Sequence, residues 1–267
     1  MGASQSSQIF VGKRREIKKQ IEIFWKYPSA RSDVDAYYKN AENHQYTKPP
    51  GYKGLRWIEK KTPFTDWKDK ILAHNDKVII IRNEASPDIR QYTKGEEHKA
   101  GMSLIHVLII SKENLFNGVS LDSTNADIIP QGIDLFKTSW DNDPSFRQAV
   151  LDHQVEMIRK RDRNVDIAMG HFEKMKEKAQ ALRADDFTFG LHLSPDHSVP
   201  HFHIHAIATP KEFRKHSTKV HDKKTKDVLE VYHIAKNRTN APNRHRFLNA
   251  FMPRSWRGER EKSMQQK

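Results

Sequence analysis

His201-Phe202-His203-Ile204-His205-Ala206-Ile207-Ala208 is the stretch on which the fold of this chain turns. In a β-strand successive side chains point to opposite faces. The alternation predicts a strand with His201, His203 and His205 in a row on one face. Phe202, Ile204 and Ala206 then turn to a core on the other. A solvated histidine-rich tract has no need of large apolar residues between its histidines. Histidine ionises closest to neutrality, so it can serve as base, acid, nucleophile or metal ligand. Three of them on one rigid face mark a candidate reaction centre. The chain has 15 histidines, so a single one elsewhere is read first as an ordinary core or surface residue.

Working outward, Phe187, Phe189 and Leu191 alternate on a preceding strand, and Ser194-Pro195-Asp196 makes a turn. An antiparallel pair over residues 186–193 and 200–208 follows. The β-branched run Val78 to Ile81, within Lys77–Arg82, predicts a buried strand, as does Ser103–Ser111. Leu55 to Ile58 is a further short strand candidate. Helices are expected from Lys13 to Trp25, from an Asp143 cap with Pro144 in the first turn, and from an Asn164 cap through Leu182. Residues 41–54 and 84–101 read as loops, and residues 113–140 and 210–267 as loops and tails.

The chain has 267 residues, 36% hydrophobic and 30% charged, with a mean hydropathy of −0.85. It carries no run of 18 apolar residues that would span a bilayer. The absence of cysteine excludes disulfides, thiolate nucleophiles and cysteine-ligated zinc, and a cytoplasmic protein is the simplest inference. A net charge of +13 suits a polyanionic partner: nucleotide, nucleic acid or anionic lipid.

Met1-Gly2-Ala3-Ser4-Gln5-Ser6 fits the N-myristoylation pattern on Gly2, and Lys13, Arg14, Arg15, Lys18 and Lys19 follow. One acyl chain with a basic cluster would hold the protein on an anionic membrane surface. An ordinary flexible terminus is the plain alternative. Beyond residue 236, Arg238, Arg244, Arg246, Arg254, Arg257, Arg260 and Lys262 are interleaved with Phe247, Phe251 and Trp256. That composition could grip nucleic acid, although a tail packing its aromatics on the domain explains it as well.

Over Ser198 to Ile207 the sequence resembles the histidine-triad family of nucleotide hydrolases and transferases. The resemblance extends upstream to His106-Val107-Leu108-Ile109-Ile110-Ser111-Lys112, and to Val78–Arg82 with Asn83. Phe189-Gly190-Leu191-His192 looks most like the aprataxin and scavenger-decapping branches, with a longer connection to His201. Without cysteine, aprataxin's zinc-finger tail is absent. His205 stands where the uridylyltransferase branch usually has Gln, which favours hydrolysis. The resemblance implies an α+β fold: an antiparallel five-stranded half-barrel sheet with flanking helices. It places a catalytic domain at 55–210, an N-terminal extension at 1–54 and a basic C-terminal extension at 211–267. Many relatives pair two half-barrels into a homodimer.

The family mechanism assigns roles residue by residue. His203 attacks the α-phosphorus, and His201 and His205 orient it and donate to phosphate oxygens. Ser198 bonds the phosphate or the leaving oxygen. His192 or His197 protonates the leaving group, with no basis for choosing between them. His106 supports the triad or contacts the nucleotide, unless it is a satisfied core histidine. Asn83 contacts the ribose, unless it is a turn asparagine, and Lys112 contacts the nucleotide, unless it is a surface lysine. The substrate would be a purine nucleotide conjugate, and the scheme calls for no metal or other cofactor. Two alternatives stand beside it. One is a metal enzyme using the His201/His203/His205 row with His192 or Asp196 as a further ligand. The other is a membrane-tethered protein that binds nucleotide without turnover.

Overall fold

The computed structural model describes residues 9–10, 12–42, 71–197 and 199–239. Within these, β1 (Ile71–His74), β2 (Val78–Arg82), β3 (His106–Ser111), β4 (Phe187–His192), β5 (His203–Ala208) and β6 (Thr225–Asp227) form one sheet. The sheet is open and antiparallel, in the order β1-β2-β3-β5-β4-β6. The helices are α1 (Arg14–Lys26), α2 (Pro28–Glu42), α3 (Ile128–Asn142), α4 (Pro144–Arg159), α5 (Val165–Ala181) and α6 (Val228–Lys236). No helix among the described residues is long and apolar enough to cross a membrane.

The mixed α and β class holds, but the strand count does not: six strands form where five were expected. Two of the six match no expected strand: β1, and β6 from the segment read as a tail. β6 pairs with β4, with Thr225 opposite His192. Asp227 then caps α6 by accepting from Leu229 N–H at 2.9 Å and Glu230 N–H at 3.0 Å. A second correction is α3, which occupies part of the stretch 113–140 read as loop. Pro130 lies in its first turn, where a helix has no use for the N–H that proline lacks. Gly132 lets the helix approach the sheet, since a Cβ there would stand 2.8 Å from Ile109 Cγ2. The third is α2, which no periodicity announced and which buries Val34 and Tyr37.

The expected caps divide. Asp143 accepts from the N–H groups of Ser145 at 2.9 Å and Phe146 at 3.2 Å. Asn164 stands at the start of α5 with φ 50° and sends its amide to the Arg90 carbonyl instead of capping. The Leu55–Ile58 candidate, Gly2, Ser198 and the basic residues beyond 239 lie outside the described residues.

Strand alternation sorts the sheet into two faces. Val78, Ile80, Val107, Ile109, Phe187, Phe189, Leu191, Ile204 and Ala206 join the main core with Ile133, Phe136 and Trp140 of α3. Residues on the opposite face of β2 and β3, namely Ile79, Ile81, Leu108 and Ile110, make a smaller cluster with Val199. That second face carries the histidines.

Candidate functional site

Register places the histidines. His203 lies opposite Ile110 and His205 opposite Leu108 across the β3–β5 pair. Gly190 of β4 lies opposite His205. The strand proper begins at His203; His201 precedes it in a single bridge to Phe116. All three triad rings are buried, with exposures of 0%, 8% and 8% for His201, His203 and His205. Phe202 and Ile204 face the core as alternation requires.

The hydrogen bonds assign a tautomer to each ring, because a bond made by one nitrogen decides what the other carries. His203 Nδ1 is 2.8 Å from the His201 carbonyl oxygen, which can only accept. Nδ1 therefore holds the proton and Nε2 carries the lone pair. His201 Nε2 is 2.8 Å from the Ser111 carbonyl and donates to it. Its Nδ1 then accepts from the Tyr37 hydroxyl at 2.6 Å. Both nitrogens of His201 are engaged inside the protein. The expected donation from its ring to phosphate is therefore replaced by positioning: its backbone carbonyl aligns His203.

His205 is held differently. Its Nδ1 lies 3.0 Å from His106 Nε2. His106 Nδ1 lies 2.8 Å from the Asn83 amide nitrogen and 3.4 Å from the Met102 N–H. Both are donors, so His106 accepts on Nδ1 and donates from Nε2. His205 accepts in turn, and its proton sits on Nε2, which is buried without a hydrogen-bond partner among the described residues. The expectation that His106 supports the triad thus fits the geometry. Asn83 also belongs to the site, but its amide is directed to His106, where a ribose contact was expected.

His192 sits beside His205, with ring centroids 4.6 Å apart. Its Nε2 donates to Thr225 Oγ1 at 2.9 Å, because that hydroxyl gives its own proton to the His221 carbonyl at 2.7 Å. Gly190 permits this closeness: a Cβ there would meet Thr225 Cγ2 at 2.5 Å and the Phe10 ring at 2.6 Å. His197 is half-buried and packs edge-on against Phe116, with centroids 5.7 Å apart. Its Nδ1 is buried without a hydrogen-bond partner among the described residues. Lys112 is set apart from this group. Its backbone N–H donates to the Lys77 carbonyl at 2.8 Å, continuing the β2–β3 pairing past Ser111 at the end away from the connection, and no hydrogen bond or ion pair among the described residues links its ammonium to the histidines.

Burial governs the electrostatics, because a desolvated imidazole resists charging. It pushes His106 and His201 down to about 3 and His192 to about 2. His197 falls to about 4, and His203 and His205 are also lowered. The site therefore holds neutral rings at pH 7. Lys224 is a cation close enough to depress His192, His197 and His221 further. Lys224 is itself lowered by burial and supported by Asp196.

Tyr37, His221, Lys224 and Thr225 are site residues that sequence reasoning missed. No local pattern marks them; they arrive by helix packing and by the β4–β6 pairing. Among the described residues, no group of three or more His, Asp or Glu side chains is arranged to hold a metal ion. The chain matches no protein-family model, no curated protein and no solved structure.

Proposed function

We propose that this protein is a nucleotidyl hydrolase that works through a nucleotidyl-histidine intermediate. One observation carries the reading: His203 holds its proton on Nδ1 against the His201 carbonyl, and the adjacent His205 is protonated on Nε2. That places a neutral nucleophilic lone pair beside a buried donor suited to a phosphate oxygen. Nε2 of His203 attacks the α-phosphorus. The phosphorus–leaving-group bond breaks, and the leaving group departs with the electron pair and takes a proton from a neighbouring acid. Water then attacks the phosphorus, cleaves the phosphorus–nitrogen bond and releases a nucleoside monophosphate. The donated hydrogen bond of His192 to Thr225 leaves its lone pair on Nδ1, and both His192 and His197 lie within electrostatic reach of His203. Either can pass a proton once substrate charge favours its protonated form. The net charge of +13 and the placement of Lys224 suit a polyanionic substrate.

Incubation with adenosine phosphoramidate, adenylated lysine and diadenosine polyphosphate tests this. Release of AMP, with a trapped nucleotidyl adduct on His203, is the expected result. A protein that binds these compounds and turns over none of them is the non-catalytic alternative. Membrane attachment would rest on acylation of Gly2. The apolar residues of α1, Ile17, Ile21 and Phe24, are buried in the core, so the helix would offer a membrane its basic residues. Intact mass after expression with an N-myristoyltransferase decides whether Gly2 takes an acyl chain.

A further inference from the structure

The donor character of His205 is not a property of His205 alone. We infer that Asn83 is a positioning residue that sets the proton of His205, through His106, on the nitrogen that faces a substrate oxygen. The inference rests on the reading of this face as a phosphate site, and it names the group that fixes the polarity of its donor.

The chain of bonds has one permitted direction. It starts at α4, where His153 Nε2 donates to the Asn83 carbonyl at 3.0 Å and anchors the residue. The Asn83 amide donates to His106 Nδ1. His106 Nε2 donates to His205 Nδ1, and His205 Nε2–H ends the chain. The Met102 N–H also points at His106 Nδ1, at 3.4 Å. A backbone N–H cannot accept, so this longer contact agrees with an Asn83 amide turned to donate, but at 3.4 Å it is too weak to hold the ring against an acceptor at position 83. Each imidazole relays the choice, because a neutral ring has one donor and one acceptor. An acceptor in place of the Asn83 amide would reverse both rings and present a lone pair where the phosphate oxygen arrives. Two lone pairs facing each other repel, so the reversed site would lose the bond and gain a penalty.

Asn83→Asp supplies that acceptor with little change in volume. The expected result on the ligand-free protein, at a pH above 8 where the rings are neutral, is a switch of His205 from the Nε2–H to the Nδ1–H tautomer. Long-range 15N–1H correlation spectra read this directly. Turnover should fall by about a hundredfold in kcat, the usual loss for one transition-state donor, with KM changed less. Adding His106→Lys to Asn83→Asp should restore the Nε2–H form and part of kcat, because an ammonium has donors only and can pair with the carboxylate at position 83 while donating to His205. This rescue separates orientation from general damage to the fold. The proposal is overturned if His205 of the unaltered protein is protonated on Nδ1, or if Asn83→Asp keeps the Nε2–H form. It is also overturned if the second substitution rescues nothing in a folded protein. The tautomer needs no substrate, so an Asn83-dependent switch in a protein without nucleotide turnover would sink the hydrolase reading and leave this one standing.

Discussion

The two faces of β5 are buried to nearly the same degree and do opposite work. Ile204 and Ala206 have exposures of 0%, and His203 and His205 of 8%. On the helix side, burial removes apolar surface from water and is returned as stability. On the histidine side, burial keeps five titratable rings uncharged and makes every polar contact decide a proton's position. The same desolvation that stabilises one face holds the imidazoles of the other neutral.

The largest expected effect is on the histidine face. His203→Ala should lower turnover at least about a thousandfold, because no other ring holds a lone pair on the aligned nitrogen. Full turnover in that variant, measured as AMP release, would break the contrast at once. On the opposite face, Phe202→Ala should cost about 3–5 kcal/mol in denaturant unfolding, from lost transfer and the cavity left behind. A loss below about 1 kcal/mol would mean that the helix side is not closely packed there.

Acid should separate the faces by pH. The unfolded chain binds protons on its histidines below pH 6.5, whereas His106 and His201 resist protonation down to about 3. The unfolded state therefore binds more protons in that window, and stability is lost as the pH falls from 6.5 towards 3. Each such ring contributes at most about 1.4 kcal/mol per pH unit. The melting temperature should drop between pH 7 and 5, and less steeply in His106→Gln. Equal slopes in the two proteins would argue that His106 is solvated. The smallest effect is expected for Lys112→Ala, which lies past the end of β3: kcat/KM within about twofold of the unaltered protein. A tenfold fall would return Lys112 to the nucleotide contacts.

Legibility follows the range of the interactions involved. The β2, β3, β4 and β5 segments announce themselves, since Val78 to Ile81 and the His/apolar alternation are local patterns with local stereochemical causes. β1, α2, α3, β6 and α6 do not. Pro130 and Gly132 read as breakers in isolation, and become acceptable only at a first turn and against Ile109. Thr225–Asp227 is too short to signal a strand, and forms because β4 offers a free edge beside it. The triad, His106 and Asn83 were visible as residues, but the direction of each hydrogen bond was not. His201 shows the difference most clearly. It looked like a flanking donor in the row, and Tyr37 from an unannounced helix takes up its second nitrogen.

By itself, then, the sequence determined that a row of histidines backs onto an apolar core, because side-chain alternation is a property of the strand. It also determined that cysteine chemistry is absent and that the chain is strongly basic. Only the tertiary structure decided which nitrogen of each ring holds the proton. A tautomer depends on what its other nitrogen meets, and here those partners come from positions 37, 83, 106 and 225, brought together by packing.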